Sequence, residues 1–191
     1  SELINAIFFA DYGKRILPSS AGRTTMCPTE LLYDESMPPS IRALPIETRG
    51  RLGSTSDFKR LSEEWQVFPL DTSSADGMLN AFKIVAETVR VPVDQARSYA
   101  LFDADDPDQA IALDKNGMVE ISKWRHAVIN FPHPLLKHGL VILDTPGLNA
   151  IGTEPELTLS LVPNAHAVLF VLAADTGVTK SDMEVWQRHV C

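Results

Sequence analysis

The chain has 191 residues, a formal net charge of −8, and 45% hydrophobic against 22% charged residues. That balance describes one globular domain with a sizeable core, and it excludes a broad basic face for nucleic acid or anionic lipid. Cys27 and Cys191, the two cysteines, stand at opposite ends, which excludes a disulfide framework and predicts a reducing, cytoplasmic setting.

From the start of the chain, Leu3, Ile4, Ala6, Ile7 and Phe8 predict a short, largely buried helix ending before a turn at Asp11–Gly13. The leading stretch has an acid at its second position and neither a basic leader nor a small-residue cleavage site. It therefore reads as a helix cut from a longer chain, not as a signal peptide. "LPSSAGRTTMCPTE" is a loop by its Pro, Ser, Gly and Thr content. "ELLYD" and "IRALPIE" predict short strands, with Pro45 placing the second at a sheet edge. "DFKRLSEEW" and "SSADGMLNAFKIVAETV" predict helices, the second with a Ser or Asp start signal. "PVDQARSYALF" begins a third, with Pro92 at its first turn.

The stretch 103–110 carries Asp103, Asp105, Asp106 and Asp108 but lacks the Gly and closing Glu of a calcium loop, so it reads as a solvated acidic loop. "HAVINF" alternates like a half-buried strand, and "PHPLLKHG" separates it from "LVILD", predicting an antiparallel hairpin. A helix around "EPELTLSLV" precedes "AVLFVLAAD", which reads as a fully buried strand of a parallel sheet, and "SDMEVWQRHV" opens a last helix. No apolar run reaches the ~18–20 residues of a membrane span.

Five histidines (His126, His133, His138, His166, His189) occur at no ligand spacing and read as surface or packing residues. "TKSD" at 179–182 matches a guanine-reading pattern, but it precedes a helix directly. Thr179 and Asp182 read better as a helix cap and first-turn acid. The sharper signal is "LVILDTPGLNA". A buried strand cannot keep a charge inside, so Asp144 should emerge at the strand's carboxyl end, where α/β folds bind ligands. Gly147 then offers a backbone N–H that can approach a terminal phosphate. A threonine on the loop "AGRTTMCPTEL" and Asp144 could together hold one Mg²⁺.

These stretches resemble the GTPase domain of the dynamin superfamily, specifically the bacterial dynamin-like proteins, over nearly the whole chain. "SELINAIFF" resembles the helix after the phosphate-binding loop, which makes Ser1 a Mg²⁺ ligand. "ILPSSAGRTTMCPTEL" resembles the first switch, about residues 17–30, and its Gly-to-Thr spacing assigns the metal-binding threonine to Thr25, with Thr24 as runner-up. "LVILDTPGLNA" resembles the opening of the second switch, about 144–153, assigning Asp144 to the metal through water and Gly147 to the phosphate. An insertion at about 50–120, with its own helices, fits the same family.

The resemblance implies an α/β, three-layer fold of the P-loop NTPase type, with a mostly parallel sheet and an antiparallel hairpin ending in Asp144. It implies a Mg²⁺-dependent GTPase that binds GTP and GDP and self-associates through this domain. It also implies membrane remodelling through regions outside this chain, peripheral to the inner membrane and with no nucleic-acid partner. The Gly-rich phosphate loop with its Lys would precede Ser1 and the guanine-reading strand would follow Cys191, so the piece by itself should be inactive. The rival readings are a dimerising, non-catalytic scaffold of GTPase fold and an ATPase.

Overall fold

The computed structural model describes residues 2–17, 27–102, 113–144, 165–169, 177–178 and 183. The first helix, α1 (Glu2–Phe8), forms where expected and is followed by a 3-10 turn closed by Gly13 in the left-handed region (φ 62°). Among the described residues five strands make the main sheet: β1 (Thr29–Leu32), β2 (Ser40–Pro45), β3 (Gln66–Pro69), β6 (Trp124–Asn130) and β7 (Ile142–Asp144). Their spatial order is β3-β2-β6-β1-β7. Two further strands, β4 (Thr88–Pro92) and β5 (Met118–Ser122), pair antiparallel as a separate small sheet.

Side-chain alternation divides the main sheet into two unlike faces. Leu31, Ile41, Ala43, Ala127 and Ile129 lie on one face, under Ile4 and Phe8 of α1, Phe9, Met78 and Phe82 of α3 (Ala75–Phe82), Val85, and Leu136 of α5 (Pro134–Lys137). The other face pairs a smaller apolar patch (Leu44, Phe58, Trp65 and Val128) with Glu30, Arg42, His126 and Asn130. The small sheet has a core of its own, with Ile46, Val91, Val119 and Ile121 closed by Ala96 of α4 (Val93–Ser98), Leu101 and Phe102.

Several expectations are corrected by this architecture. Pro45 does not place β2 at an edge. The strand is interior, and the proline sits at its last position, where the register with β6 shifts and its missing N–H breaks no regular ladder. "DFKRLSEEW" is not one helix. The helix α2 (Thr55–Phe58) stops so that Trp65 can turn inward and donate from Nε1 to the Phe58 carbonyl at 2.8 Å, and the chain continues as β3. The next predicted helix starts as read, with the Ser74 hydroxyl accepting from Gly77 N at 3.0 Å, but α3 ends at Phe82. Thr88, Val89 and Val91 beyond it pair with β5, where β-branched side chains pack well. The stretch read as an insertion, about 50–120, therefore contains strands as well as helices.

The expected hairpin between "HAVINF" and "LVILD" is absent: β1 lies between them, parallel to β6 and antiparallel to β7. The connection carries α5, whose Leu136 packs on the apolar face and leads the chain across β1. As the central strand, β6 is buried at every residue and not half-buried. Among the described residues "LVILD" is a half-buried edge strand of three residues, with Leu140 and Val141 exposed ahead of it. Among the described residues the main sheet has one parallel pair, β1 with β6, and is otherwise antiparallel. Of "AVLFVLAAD", residues 167–169 are exposed and carry no strand, and the rest lies outside the described residues. So do the acidic stretch 103–110, all of "EPELTLSLV" and the Thr179 and Asp182 pair.

Candidate functional site

Ser1, Thr24, Thr25 and Gly147 lie outside the described residues, whereas both roots of the predicted first switch and Asp144 are described. The upstream root is held by Asn5. Its Oδ1 accepts from Ile16 N at 3.0 Å and Leu17 N at 2.8 Å, while its Nδ2 donates to the Leu17 carbonyl at 3.0 Å. Three hydrogen bonds from one buried amide fix the direction in which the chain enters residues 18–26.

The downstream root is β1. Cys27 is fully buried, and burial pushes its thiol up to about 12, so it packs as a small apolar side chain. The Thr29 hydroxyl donates to the Cys27 carbonyl at 3.1 Å. In the antiparallel register Thr29 stands opposite Asp144, the last residue of β7. The end of the stretch read as the first switch thus meets the start of the stretch read as the second at one sheet edge. Asp144 is half-buried there, at the carboxyl end of its strand as the sequence requires.

The neighbouring Glu30 points to the opposite face and is 8% exposed. Its Oε2 accepts from Lys59 Nζ at 2.6 Å and lies 3.3 Å from His126 Nε2. Burial raises the Glu30 carboxyl, but the hydrogen bonds from His126 and Lys59 and the charge of both outweigh it and hold the group at about 2. His126 is 1% exposed, lies edge-on to Trp65, and has no partner for Nδ1 among the described residues. Arg125, next to it, donates to the Thr48 and Gly53 carbonyls, each at 2.9 Å.

Sequence reasoning gave no role to Asn5, Glu30, Lys59 or Arg125. An amide inside the apolar run "LINAIF" and an acid inside "TELL" were the available signals. Of the other histidines, His133 caps α5 by accepting from Leu135 N at 3.3 Å and stacks on Phe131, a packing role as expected. Among the described residues no group of three His, Cys, Asp or Glu is placed to hold a metal, and no helix is long and apolar enough to cross a membrane.

Comparison with known proteins adds the family. A 43% identity over 60 residues, 30% of this chain and 9% of the relative, links it to the isoniazid-induced protein IniA of Mycobacterium tuberculosis. A bacterial dynamin-like protein of Nostoc punctiforme is 33% identical over 85 residues, 44% of this chain and 12% of that protein. The matched stretches thus span about a tenth of each relative's length. The family model described as "Dynamin family" matches residues 1–191, and the chain belongs to that family.

Proposed function

We propose that this chain is the switch-bearing part of a dynamin-like large GTPase that hydrolyses GTP with Mg²⁺ and couples the cycle to self-assembly and membrane remodelling. The observation that supports the reading is the register of Thr29 with Asp144, which sets the end of the stretch read as the first switch beside the start of the stretch read as the second. Family membership supports the same reading.

The donors suit Mg²⁺, a hard ion that takes hydroxyls, one or two carboxylates and substrate phosphates. Thr25, or Thr24 in its place, would ligate it with Ser1, and Asp144 would hold it through water. Bound there, the ion would neutralise charge on the transferring phosphate. Asp144, fixed at the end of β7, would orient its water ligand, and Gly147 would present its N–H to the terminal phosphate. Asn5 and the β1 pairing would restrain the two ends of the first switch, which lowers the entropy of bringing Thr25 into place.

Turnover of GTP by the full-length protein tests the reading. Asp144→Ala should lower turnover by at least ~10²-fold, or roughly 3 kcal/mol of barrier, with little change in thermal stability. Thr25→Ala should act similarly, and the double variant should lose less than the sum. Near-normal turnover in the Asp144 variant would reduce "LVILDTPGLNA" to a strand and a turn.

A further inference from the structure

We propose that His126 and Lys59 compete for one oxygen of Glu30, so that proton uptake by His126 releases Lys59 and loosens the segment 54–65, an acid-sensitive strap on the polar face of the main sheet.

Glu30 Oε2 has two donors: Lys59 Nζ at 2.6 Å and His126 Nε2 at 3.3 Å. They stand differently toward water. The Lys59 side chain is 37% exposed, whereas that of His126 is 1% exposed. An ionised carboxylate only accepts, so Nε2 carries the hydrogen of its contact. Nδ1 has no partner among the described residues, and it is the ring position left to take up a proton. Against burial, which raises it, the hydrogen bonds from His126 and Lys59 hold the Glu30 carboxyl at about 2. The carboxylate therefore keeps its charge throughout the range in which imidazoles change theirs.

The charged groups facing His126 are Glu30 from β1, Lys59 following α2, and Arg42 from β2, whose guanidinium lies over Trp65 at 5.9 Å. Beside it on β6, Arg125 is turned to the Thr48 and Gly53 carbonyls. A charged imidazole adds one more cation around a single carboxylate. It cannot leave, because it is fixed on the central strand beside Trp65, and its bond to Oε2 becomes charge-assisted and stronger. Lys59 stands at the water boundary, where its ammonium regains hydration at little cost. Lys59 is the cation that gives way.

Its segment is tied together internally. Ser54 N donates to Asp57 Oδ2 at 2.8 Å and Asp57 N to Ser54 Oγ at 3.2 Å, a reciprocal cap. At the far end Trp65 Nε1 donates back to the Phe58 carbonyl at 2.8 Å. The segment meets the sheet through the Lys59 pair, through Phe58 under Arg125 at 5.2 Å, and through Trp65 edge-on to His126 at 6.1 Å. Losing the pair leaves ring contacts, one of them with the imidazole that has just taken up charge, so local opening becomes easier.

The test is hydrogen exchange of the full-length protein by mass spectrometry, corrected for intrinsic rates, at about pH 8 and about pH 5.5, with the ring C2 proton of His126 followed across that range. The Phe58 to Leu61 amides, bonded within the strap, should exchange roughly tenfold faster at the lower pH, while those of α3 stay unchanged. In Lys59→Met the strap amides should exchange fast at both values. In the same variant His126 should take up its proton about one pH unit higher than in the parent, because a competing cation is gone. His126→Gln keeps a donor for Glu30 without the charge and should hold the strap at both values.

Strap exchange that ignores pH in the parent overturns the proposal, and so does a rise that α3 shares equally, which is general loosening. A pH response that persists in His126→Gln assigns the proton to another group and overturns it as well. If His126→Gln does not fold, Lys59→Met carries the test: an unchanged His126 titration there means that the two cations do not compete. None of these readouts involves GTP turnover, so each stands whether or not the GTPase reading holds.

Discussion

The two faces of the main sheet are built on different principles, although the same strands supply both. One face presents Leu31, Ile41, Ala43, Ala127 and Ile129 to helices that bring only apolar side chains, and its requirement is volume. The other presents Glu30, Arg42, His126 and Asn130, and each needs a partner brought by a particular residue elsewhere. Asn130 shows the demand plainly. Its Nδ2 donates among the carbonyls of Asp34, Met37 and Pro38, and its Oδ1 accepts from Asp34 N, so one buried amide organises the whole β1–β2 turn. The contrast teaches that the polar face holds the information about how β1 and the segment bearing Lys59 fit together, while the apolar face holds most of the stability.

That division can be broken first where it predicts the largest loss. Ile129→Ala, at a fully buried position on the central strand, should cost about 3–4 kcal/mol in urea unfolding, the transfer cost plus a cavity that helices on one side and strand backbone on the other cannot close. A loss below about 1 kcal/mol would mean that the apolar face is loosely packed and the division wrong.

The polar face should give a smaller, pH-dependent effect. Glu30 titrates lower in the folded chain, at about 2, than in the unfolded one, so its stabilisation is present above the ordinary carboxylate range and is lost as pH falls through about 2. Glu30→Gln should therefore destabilise at neutral pH by on the order of 1–3 kcal/mol, and the gap should close between about pH 4.5 and pH 2. Melting curves of the two proteins across that range measure it. A gap that stays constant with pH would show that the carboxylate's charge contributes nothing.

The smallest effect sharpens the same point from outside. Lys14 and Asp76 form a 2.8 Å ion pair between exposed side chains. Lys14→Ala should leave the urea midpoint unchanged within error, because water and salt already screen both charges. A loss as large as that of Glu30→Gln would show that pairing itself, and not burial, sets the value.

How much was legible beforehand differs along the same lines. The first helix, the start of α3 at Ser74 and the position of Asp144 at a strand end all follow from local spacing and capping. The ends of elements did not follow. "DFKRLSEEW" has helical spacing, yet Trp65 gains more by reaching the Phe58 carbonyl and the space beside His126 than by extending a turn. Of the candidate site, Asp144 and its strand were readable, whereas Asn5, Glu30 and Lys59 were not, since an isolated Asn, Glu or Lys has no spacing signature.

By itself the sequence determined the local choices: an apolar helix at the start, an acid released at a strand end, and the motif-bearing loops that mark the family. Each depends on residues within a few positions of one another. Only the tertiary structure decided that β2 is interior despite Pro45, that β1 separates β6 from β7, and that Glu30 meets Lys59 and His126 across 29 and 96 positions of chain. Strand order and long-range ion pairing depend on which surfaces cover one another, and a linear pattern of residue types does not encode that in any single window.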